Sequence, residues 1–416
     1  MASSLREIPM SPSPTPKLRS IETVRSQSQS NVLHVLVTDE DGVVGLGETF
    51  FGASSVENYI HETAATVLRN RDRYAPALVQ ETLRSYVGYS GSGAEVRGNS
   101  AIDIALWDLL GKRHDVPLRE LLGGPVVDSI PIYNTCAGGN YVSTESRQST
   151  SNWGIASPQE RGDYEDLWRF LNEPAALARD LVAAGYPGMK VWPFDIVAEQ
   201  SRGDHTADLS FGLGVLDAIR GEVGNAIDLY VELHSLWQPS GAKRLLRALE
   251  PYDLVWAEDP IRPDNPVALA ALRAGTTVPI AVGENIGAGH NAYKPLLDAQ
   301  AIDVAIIDVG WSGGITTAMK TAALAEQYGI PIAPHDCTGP VALAVATHLV
   351  TAVPNGFVQE VARAFLHEWY PVMATGLPIV SDGMIRPADA PGHGVVLAET
   401  FLADPGTTRR TTALLD

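Results

Sequence analysis

The sequence predicts an α/β protein, a closed barrel of eight parallel strands preceded by a separate α+β unit. Three observations predict it. Short apolar runs recur eight times between residues 129 and 361 with helical stretches between them, and strands that alternate with helices pair in parallel. The first ~125 residues follow a different pattern, a hairpin and then long helical periodicity. The chain has 416 residues, more than the ~250–300 at which single cores stop growing, so a large domain with a smaller companion is expected.

Residues 31–49 read NVLHVLVTDEDGVVGLGET, an alternating run, an acidic turn ending at Gly42 and a second β-rich run, which is a hairpin signal. Residues 55–68 (SVENYIHETAATVL) and 99–114 (NSAIDIALWDLLGKRH) change to apolar positions three and four apart, the helical spacing. After Gly123-Gly124-Pro125 come the eight apolar runs, at 129–136, 188–192, 227–234, 253–259, 278–285, 301–308, 330–336 and 356–361. Segments such as GLGVLDAIRGEV, GAKRLLRALE and TAMKTAALAEQYG supply the helices between them. Eight such strands close into a barrel whose functional groups sit at the C-terminal strand ends. Residues 137–165, rich in Gly, Ser, Asn and Thr, form a long connection, either a lid or a disordered insert. Residues 11–16 (Ser-Pro-Ser-Pro-Thr-Pro) read as an extended lead-in.

The composition is 45% hydrophobic and 19% charged, that of a well-packed protein rather than a disordered one. The net charge of -19 repels phosphate backbones and anionic lipid, which argues against nucleic acid and membrane partners. An anionic substrate needs a metal or lysine to reverse that field locally. Two cysteines, Cys136 and Cys337, are too few for a disulfide framework or a four-sulfur zinc site. With no signal-like apolar centre near the start and no run approaching ~20 apolar residues, the expected location is cytoplasmic. GLGVLDA at 212–218 lacks the third glycine of a dinucleotide fingerprint and no P-loop appears, so neither NAD nor ATP is expected.

Ionisable residues at the ends of apolar strands must be solvated, paired or bound to something. Those positions hold Lys190, Glu232 with His234, Glu258, Glu284, Asp308, His335 and Glu360. Glu232, Glu258 and Glu284 are spaced 26 and 26 residues apart, one per consecutive βα unit, so their carboxylates can converge. Three converging carboxylates repel unless a cation sits among them, and oxygen-only ligands favour Mg²⁺ over zinc or copper. Each glutamate alone could be a surface residue or helix cap; the equal spacing favours the metal site. Asp308 and His335 end the next two strands, and a carboxylate beside an imidazole fixes its tautomer and raises its basicity. That makes a general base. Taken singly, His335 could tie down a turn and Asp308 could cap the helix that begins near Gly314; their adjacency in the strand order beside the metal site favours the pair.

These residues resemble the enolase superfamily, in its mandelate racemase subgroup. The resemblance runs from the DEDGVVGLGE hairpin through AIDIALWDLLGK and PLRELLGG to SDGMIRPADAPGHG, almost the whole chain. It implies a modified barrel of (β/α)7β type at residues 129–375, an α+β capping domain at 1–128, and a C-terminal segment at 376–416 that returns to the cap. It also implies Mg²⁺ held by Glu232, Glu258 and Glu284, removal of the proton α to a carboxylate by His335 with Asp308, and contact of Glu360 and Lys190 with that carboxylate. Members are commonly homo-oligomers.

Two departures matter. The first metal ligand is most often aspartate, whereas Glu232 is one methylene longer. Racemases of the subgroup carry Lys-x-Lys on the second barrel strand; here the text is Lys190-Val191-Trp192. Tryptophan accepts no proton, so unless Lys190 itself reaches across, one face of the substrate lacks a base, which argues against 1,1-proton transfer. Two residues after Glu232, on the same side of the strand, His234 resembles the acid of the subgroup's sugar-acid dehydratases, which protonates a departing hydroxyl. The plainer role is to line the pocket and bond a substrate hydroxyl. The expected activity is therefore Mg²⁺-dependent dehydration of a sugar acid to a 2-keto-3-deoxy acid, with an epimerase or a lactone cycloisomerase as alternatives.

A remote alternative is a serine hydrolase. Gly310-Trp311-Ser312-Gly313-Gly314 matches a G-x-S-x-G elbow, but no oxyanion loop accompanies it and a tight turn explains the glycines. Phe50 and Phe51 after Glu48, together with loop 137–165, are the expected determinants of substrate stereochemistry. Trp192 and Trp237 either wall the pocket or pack in the core.

Overall fold

The computed structural model describes residues 17–84, 93–157, 159, 161–287 and 289–416; the lead-in at 11–16 lies outside them. Strands β1 (Leu18–Ser26), β2 (Val32–Asp39) and β3 (Val44–Phe50) form an antiparallel sheet. The turn between β2 and β3 closes through Gly42 at φ 86°. Strand Thr407–Ala413 pairs with β1 on its other edge, so the last residues of the chain join the first sheet. The 21-residue helix Ala94–His114 lies across this sheet. Gly45 and Gly47 allow that approach, since a Cβ at either would strike the Ala105 or Ala101 carbonyl oxygen. The expected helix at 55–68 is present from Ala53 to Leu68, with a π-helical section over Tyr59–Ala64.

The barrel strands are β4 (Ile130–Thr135), β5 (Gly188–Val191), β6 (Asp228–Glu232), β7 (Trp256–Glu258), β8 (Ile280–Val282), β9 (Val304–Ile307), β10 (Ile332–Pro334) and β11 (Gln359–Val361). Each pairs in parallel with the next from β4 to β10, and β11 pairs with β4. The β10–β11 seam is closed by a bridge between Ile332 and Gly356 and by Phe357 N donating to Ile332 O at 3.0 Å. Seven helical connections separate eight strands, so the barrel is of the (β/α)7β type.

Inside it, Tyr133 stacks on Tyr230 at 4.4 Å and Trp256 meets Tyr230 edge-on at 4.5 Å. Ala281 and Ala333 fill the opposite side of the same buried cluster. Large residues from β4, β6 and β7 thus interdigitate with small ones from β8 and β10, leaving a packed interior whose chemistry is confined to the strand ends.

Two buried carboxylates of the N-terminal unit seat it on the barrel helices. Asp103 accepts from Thr316 N (2.9 Å) and Thr316 Oγ1 (2.6 Å) at the start of helix Gly314–Gln327. Glu48 accepts from Ala342 N (2.9 Å) at the start of helix Pro340–Ala352. Both satisfy helix N-terminal N–H groups that would otherwise be orphaned, and place negative charge at the positive end of the helix dipole.

Helix Pro340–Ala352 is buried along its length and carries His348, whose Nδ1 accepts from Arg119 N at 3.2 Å. Burial, with His393 and Arg119 nearby, lowers its pKa to about 3. An unfolded histidine titrates near ~6.5. Between those values the unfolded chain holds a proton that the folded chain does not, so stability falls as pH drops through that window. His348→Asn is expected to flatten the acid limb of a thermal-stability-versus-pH curve, by up to about one proton in slope.

Candidate active site and metal centre

Glu232 and Glu258 are the last residues of β6 and β7, and Glu284 lies two residues beyond β8. One carboxylate oxygen from each comes within 4.8 Å of the others, and all three side chains are buried. Each has its own support. Glu232 Oε1 accepts from Leu233 N (2.9 Å) and His234 N (2.7 Å). Glu258 Oε2 accepts from Trp256 Nε1 and from Lys190 Nζ, both at 3.0 Å. Glu284 Oε1 accepts from Asn285 Nδ2 at 3.1 Å, and the same amide bonds Asp259 at 2.9 Å.

Burial and the neighbouring Glu232 charge push the Glu258 carboxyl well above its ordinary value. Glu284 is also raised, by burial first. Glu232 is held low against its own burial by His234 and Lys190. Glu258 Oε1 is buried and has no hydrogen-bond partner among the described residues. An orphaned carboxylate oxygen inside a cluster of three is the donor set of a hard divalent cation. The residues present fit such an ion.

Lys190, on β5, is buried with Nζ 2.8 Å from Glu360 Oε1, 3.0 Å from Glu258 Oε2 and 3.5 Å from Glu232 Oε2. Despite burial, these carboxylates hold its pKa well above the usual lysine value. Glu360, on β11, also accepts from Thr135 Oγ1 and from Asp336 N. Lys190 and Glu360 therefore form one buried ion pair beside the triad.

Two histidine–aspartate pairs complete the site. His335 Nδ1 is 2.7 Å from Asp308 Oδ2, and its Nε2 is 3.2 Å from Glu284 Oε2. Asp308 is itself fixed by Gly310 N and Trp311 N, each donating to Oδ1 at 2.8 Å. His234 Nδ1 is 2.7 Å from Asp195 Oδ2. Burial lowers both imidazole pKa values, but the surrounding carboxylates outweigh it and bring each to about 10. For His335 these are Glu284, Glu360 and Asp308; for His234, Asp195, Glu232 and Glu284.

All eight strand-end residues expected from the sequence are thus brought together. Asp195 was not among them. It sits five residues past Lys190, as the first residue of helix Asp195–Ser201, and becomes visible only once β5 and β6 are neighbours. Nor did sequence reasoning find Gln148, whose Nε2 is 3.3 Å from His234 Nε2.

A cavity of about 360 Å³ leads to the site. Its walls come from the N-terminal unit (Phe51, Ser55, Arg97), from loop 137–165 (Gln148, Thr150, Trp153) and from the barrel (His234, Glu284, Trp311). It narrows to about 30 Å³ among Lys190, Glu232, His335 and Glu360. The described part of the long loop is folded over the opening, since Asn31 Nδ2 donates to Val142 O and Glu145 O at 2.7 Å. Trp192 lines the inner chamber and meets His234 edge-on at 6.0 Å. Trp237 instead packs against Gly203 and Gly241. Ser312 Oγ donates to Asp308 O at 2.6 Å, closing the turn rather than addressing an imidazole. Among the described residues, no helix is long and apolar enough to cross a membrane.

A carboxylate triad at the mouth of a (β/α)7β barrel, covered by an α+β cap, defines the architecture of the enolase superfamily. The chain belongs to that superfamily, in the mandelate racemase and muconate lactonizing enzyme family. Residues 7–123 match the N-terminal domain of mandelate racemase / muconate lactonizing enzyme, and residues 173–401 match the enolase C-terminal domain-like family.

An enolase of the mandelate racemase subgroup from Agrobacterium tumefaciens is 38% identical, with a TM-score of 0.82 over 95% of this chain and 99% of that one. A D-galactonate dehydratase family member from Streptomyces bingchenggensis is 30% identical over 94% of this chain and 93% of its own. D-xylonate dehydratase from Haloferax volcanii is 28% identical over 87% and 82%.

Proposed function

We propose that the protein is a Mg²⁺-dependent dehydratase of aldonic acids, converting a sugar acid to its 2-keto-3-deoxy product. The observation that carries this reading is the pair of histidine–aspartate couples, His335–Asp308 and His234–Asp195, beside one carboxylate triad. Elimination of water needs both a base for the C2 proton and an acid for the C3 hydroxyl, because hydroxide is a poor leaving group.

Glu232, Glu258 and Glu284 would hold the cation. When bound, it would neutralise the substrate carboxylate, acidify the α proton and offset the Glu284 charge that keeps the His335 imidazole protonated. Lys190 presents a positive charge to the anionic end of the substrate. His335 Nε2, with Nδ1 anchored on Asp308, removes the C2 proton. His234, charged through Asp195, gives its proton to the C3 oxygen, which leaves as water. The enol left behind loses its hydroxyl proton and gains one at C3, giving the keto acid.

The outer cavity supports a polyhydroxylated substrate. Ser146, Gln148, Ser149 and Thr150 line it together with the carboxylates of Asp195 and Glu199. Such a wall, with the Arg97 guanidinium on the same cavity, suits the hydroxyl groups of a sugar acid. Relatives named D-galactonate dehydratase and D-xylonate dehydratase agree with an aldonic acid.

A panel of aldonic and aldaric acids assayed for keto-acid formation tests this. Turnover of at least one aldonate with Mg²⁺, abolished by EDTA and restored by added Mg²⁺, is expected; turnover that survives EDTA contradicts the reading. His234→Asn is expected to lower keto-acid formation by ~10²–10⁴-fold while retaining exchange of the C2 proton with D₂O. Loss of both together would place His234 in substrate binding instead.

A further inference from the structure

The end of β3 touches the loops that carry both members of the His335–Asp308 pair. Glu48 and Thr49 are fully buried there. Glu48 anchors the strand on the barrel, with Oε1 2.9 Å from Ala342 N and His34 Nε2 lying 3.0 Å from Oε2. A side chain at Gly339 would collide with this carboxylate, so the anchor also fixes the segment that runs on from His335.

Thr49 reaches the other loop. Its Oγ1 donates to Gly310 O at 2.7 Å. That oxygen belongs to the same rigid peptide plane as Trp311 N, which donates to Asp308 Oδ1 at 2.8 Å. Asp308 Oδ2 in turn lies 2.7 Å from His335 Nδ1. Two residues further along, Phe51 packs on Trp311 at 5.6 Å, and Trp311 packs on the His335 ring at 5.0 Å.

We propose that Thr49, in the N-terminal unit, is a positioning residue for the His335–Asp308 pair, acting through the Gly310–Trp311 peptide. If Thr49 releases the Gly310 carbonyl, the peptide can rotate and withdraw Trp311 N–H from Asp308. The aspartate then loses one of the two donors that aim it, and with it the orientation of the imidazole. Docking of the N-terminal unit and alignment of the base thereby become one event. This inference rests on His335 being the base, so the experiment separates the two.

Thr49→Val removes the donor at nearly constant volume, Thr49→Ser keeps it, and His335→Asn removes the base. With Mg²⁺ and D-galactonate or D-xylonate as probes, Thr49→Val is expected to lower kcat by ~10-fold with KM within about twofold of wild type; Thr49→Ser should restore kcat. Without substrate, the low-field proton resonance of His335 Nδ1, assigned by its absence in His335→Asn, should broaden or shift in Thr49→Val and return in Thr49→Ser. If Thr49→Val does not fold, Thr49→Ala takes its place with the same expectations. An unmoved resonance and wild-type kcat in the donor-free variants, or equal loss in Thr49→Ser, overturns the proposal. Full activity in His335→Asn overturns the assignment of the base instead.

Discussion

His335→Asn is expected to reduce kcat by at least ~10³-fold, at the upper end of what a positioned general base contributes, while one divalent cation per chain still binds. Asparagine fills a similar space near Asp308 but has no nitrogen able to accept a proton. The three glutamates stay in place because each keeps a support other than the imidazole, including Glu284, whose Oε2 lies 3.2 Å from His335 Nε2. Glu232 is held by backbone N–H groups of residues 233 and 234, Glu258 by Trp256 and Lys190, and Glu284 by Asn285. Mn²⁺ titration followed by electron paramagnetic resonance measures the binding, and a keto-acid assay the turnover. Loss of both would mean that His335 holds the metal cluster together; retention of turnover would mean that it is not the base.

Glu258→Gln is expected to act in opposite directions on the protein with and without metal. Glu258 is the most strongly raised of the three carboxyls, through burial and the adjacent Glu232 charge, and one of its oxygens has no partner among the described residues. Removing its charge relieves repulsion in the metal-free protein, where Lys190 keeps Glu360 as a partner at 2.8 Å. Thermal stability in EDTA should therefore hold or rise. With Mg²⁺, a wild-type protein saturated at ~100 times Kd gains about 2.7 kcal/mol. The variant should lose most of that gain, and its turnover should fall by ~10²-fold or more. Thermal denaturation with and without Mg²⁺ reads both signs in one experiment. A variant that remains fully stabilised by Mg²⁺ would remove Glu258 from the ligand set.

The barrel and the gathering of ionisable residues at its strand ends were legible because both obey strong local rules. Runs such as LVWAED and IAVGEN combine apolar residues that must be buried with a carboxylate that resists burial, and a barrel reconciles the two by placing the charge at the strand end. The 26-residue spacing of Glu232, Glu258 and Glu284 reflected one βα unit each. What escaped reading was set by the tertiary arrangement. Asp195 begins a helix of the barrel, Gln148 sits on the long loop and Arg97 on a helix of the other unit, and nothing local distinguishes them from solvent-exposed polar residues.

Asp103 and Glu48 likewise look like ordinary members of a helix and a hairpin. Their burial appears only when helices that begin more than two hundred residues later dock on them. The π-helical section at Tyr59–Ala64 left no mark on an apolar pattern that continues straight through it.

Turnover in D₂O, followed by mass spectrometry and proton NMR, tests dehydration through His335 and His234 most directly. The keto acid should be lighter than the substrate by one water before isotope is counted, with deuterium incorporated at C3 in a His335-dependent reaction. Recovery of an intact sugar acid carrying deuterium at C2, with no water lost, would instead show epimerisation and contradict the account.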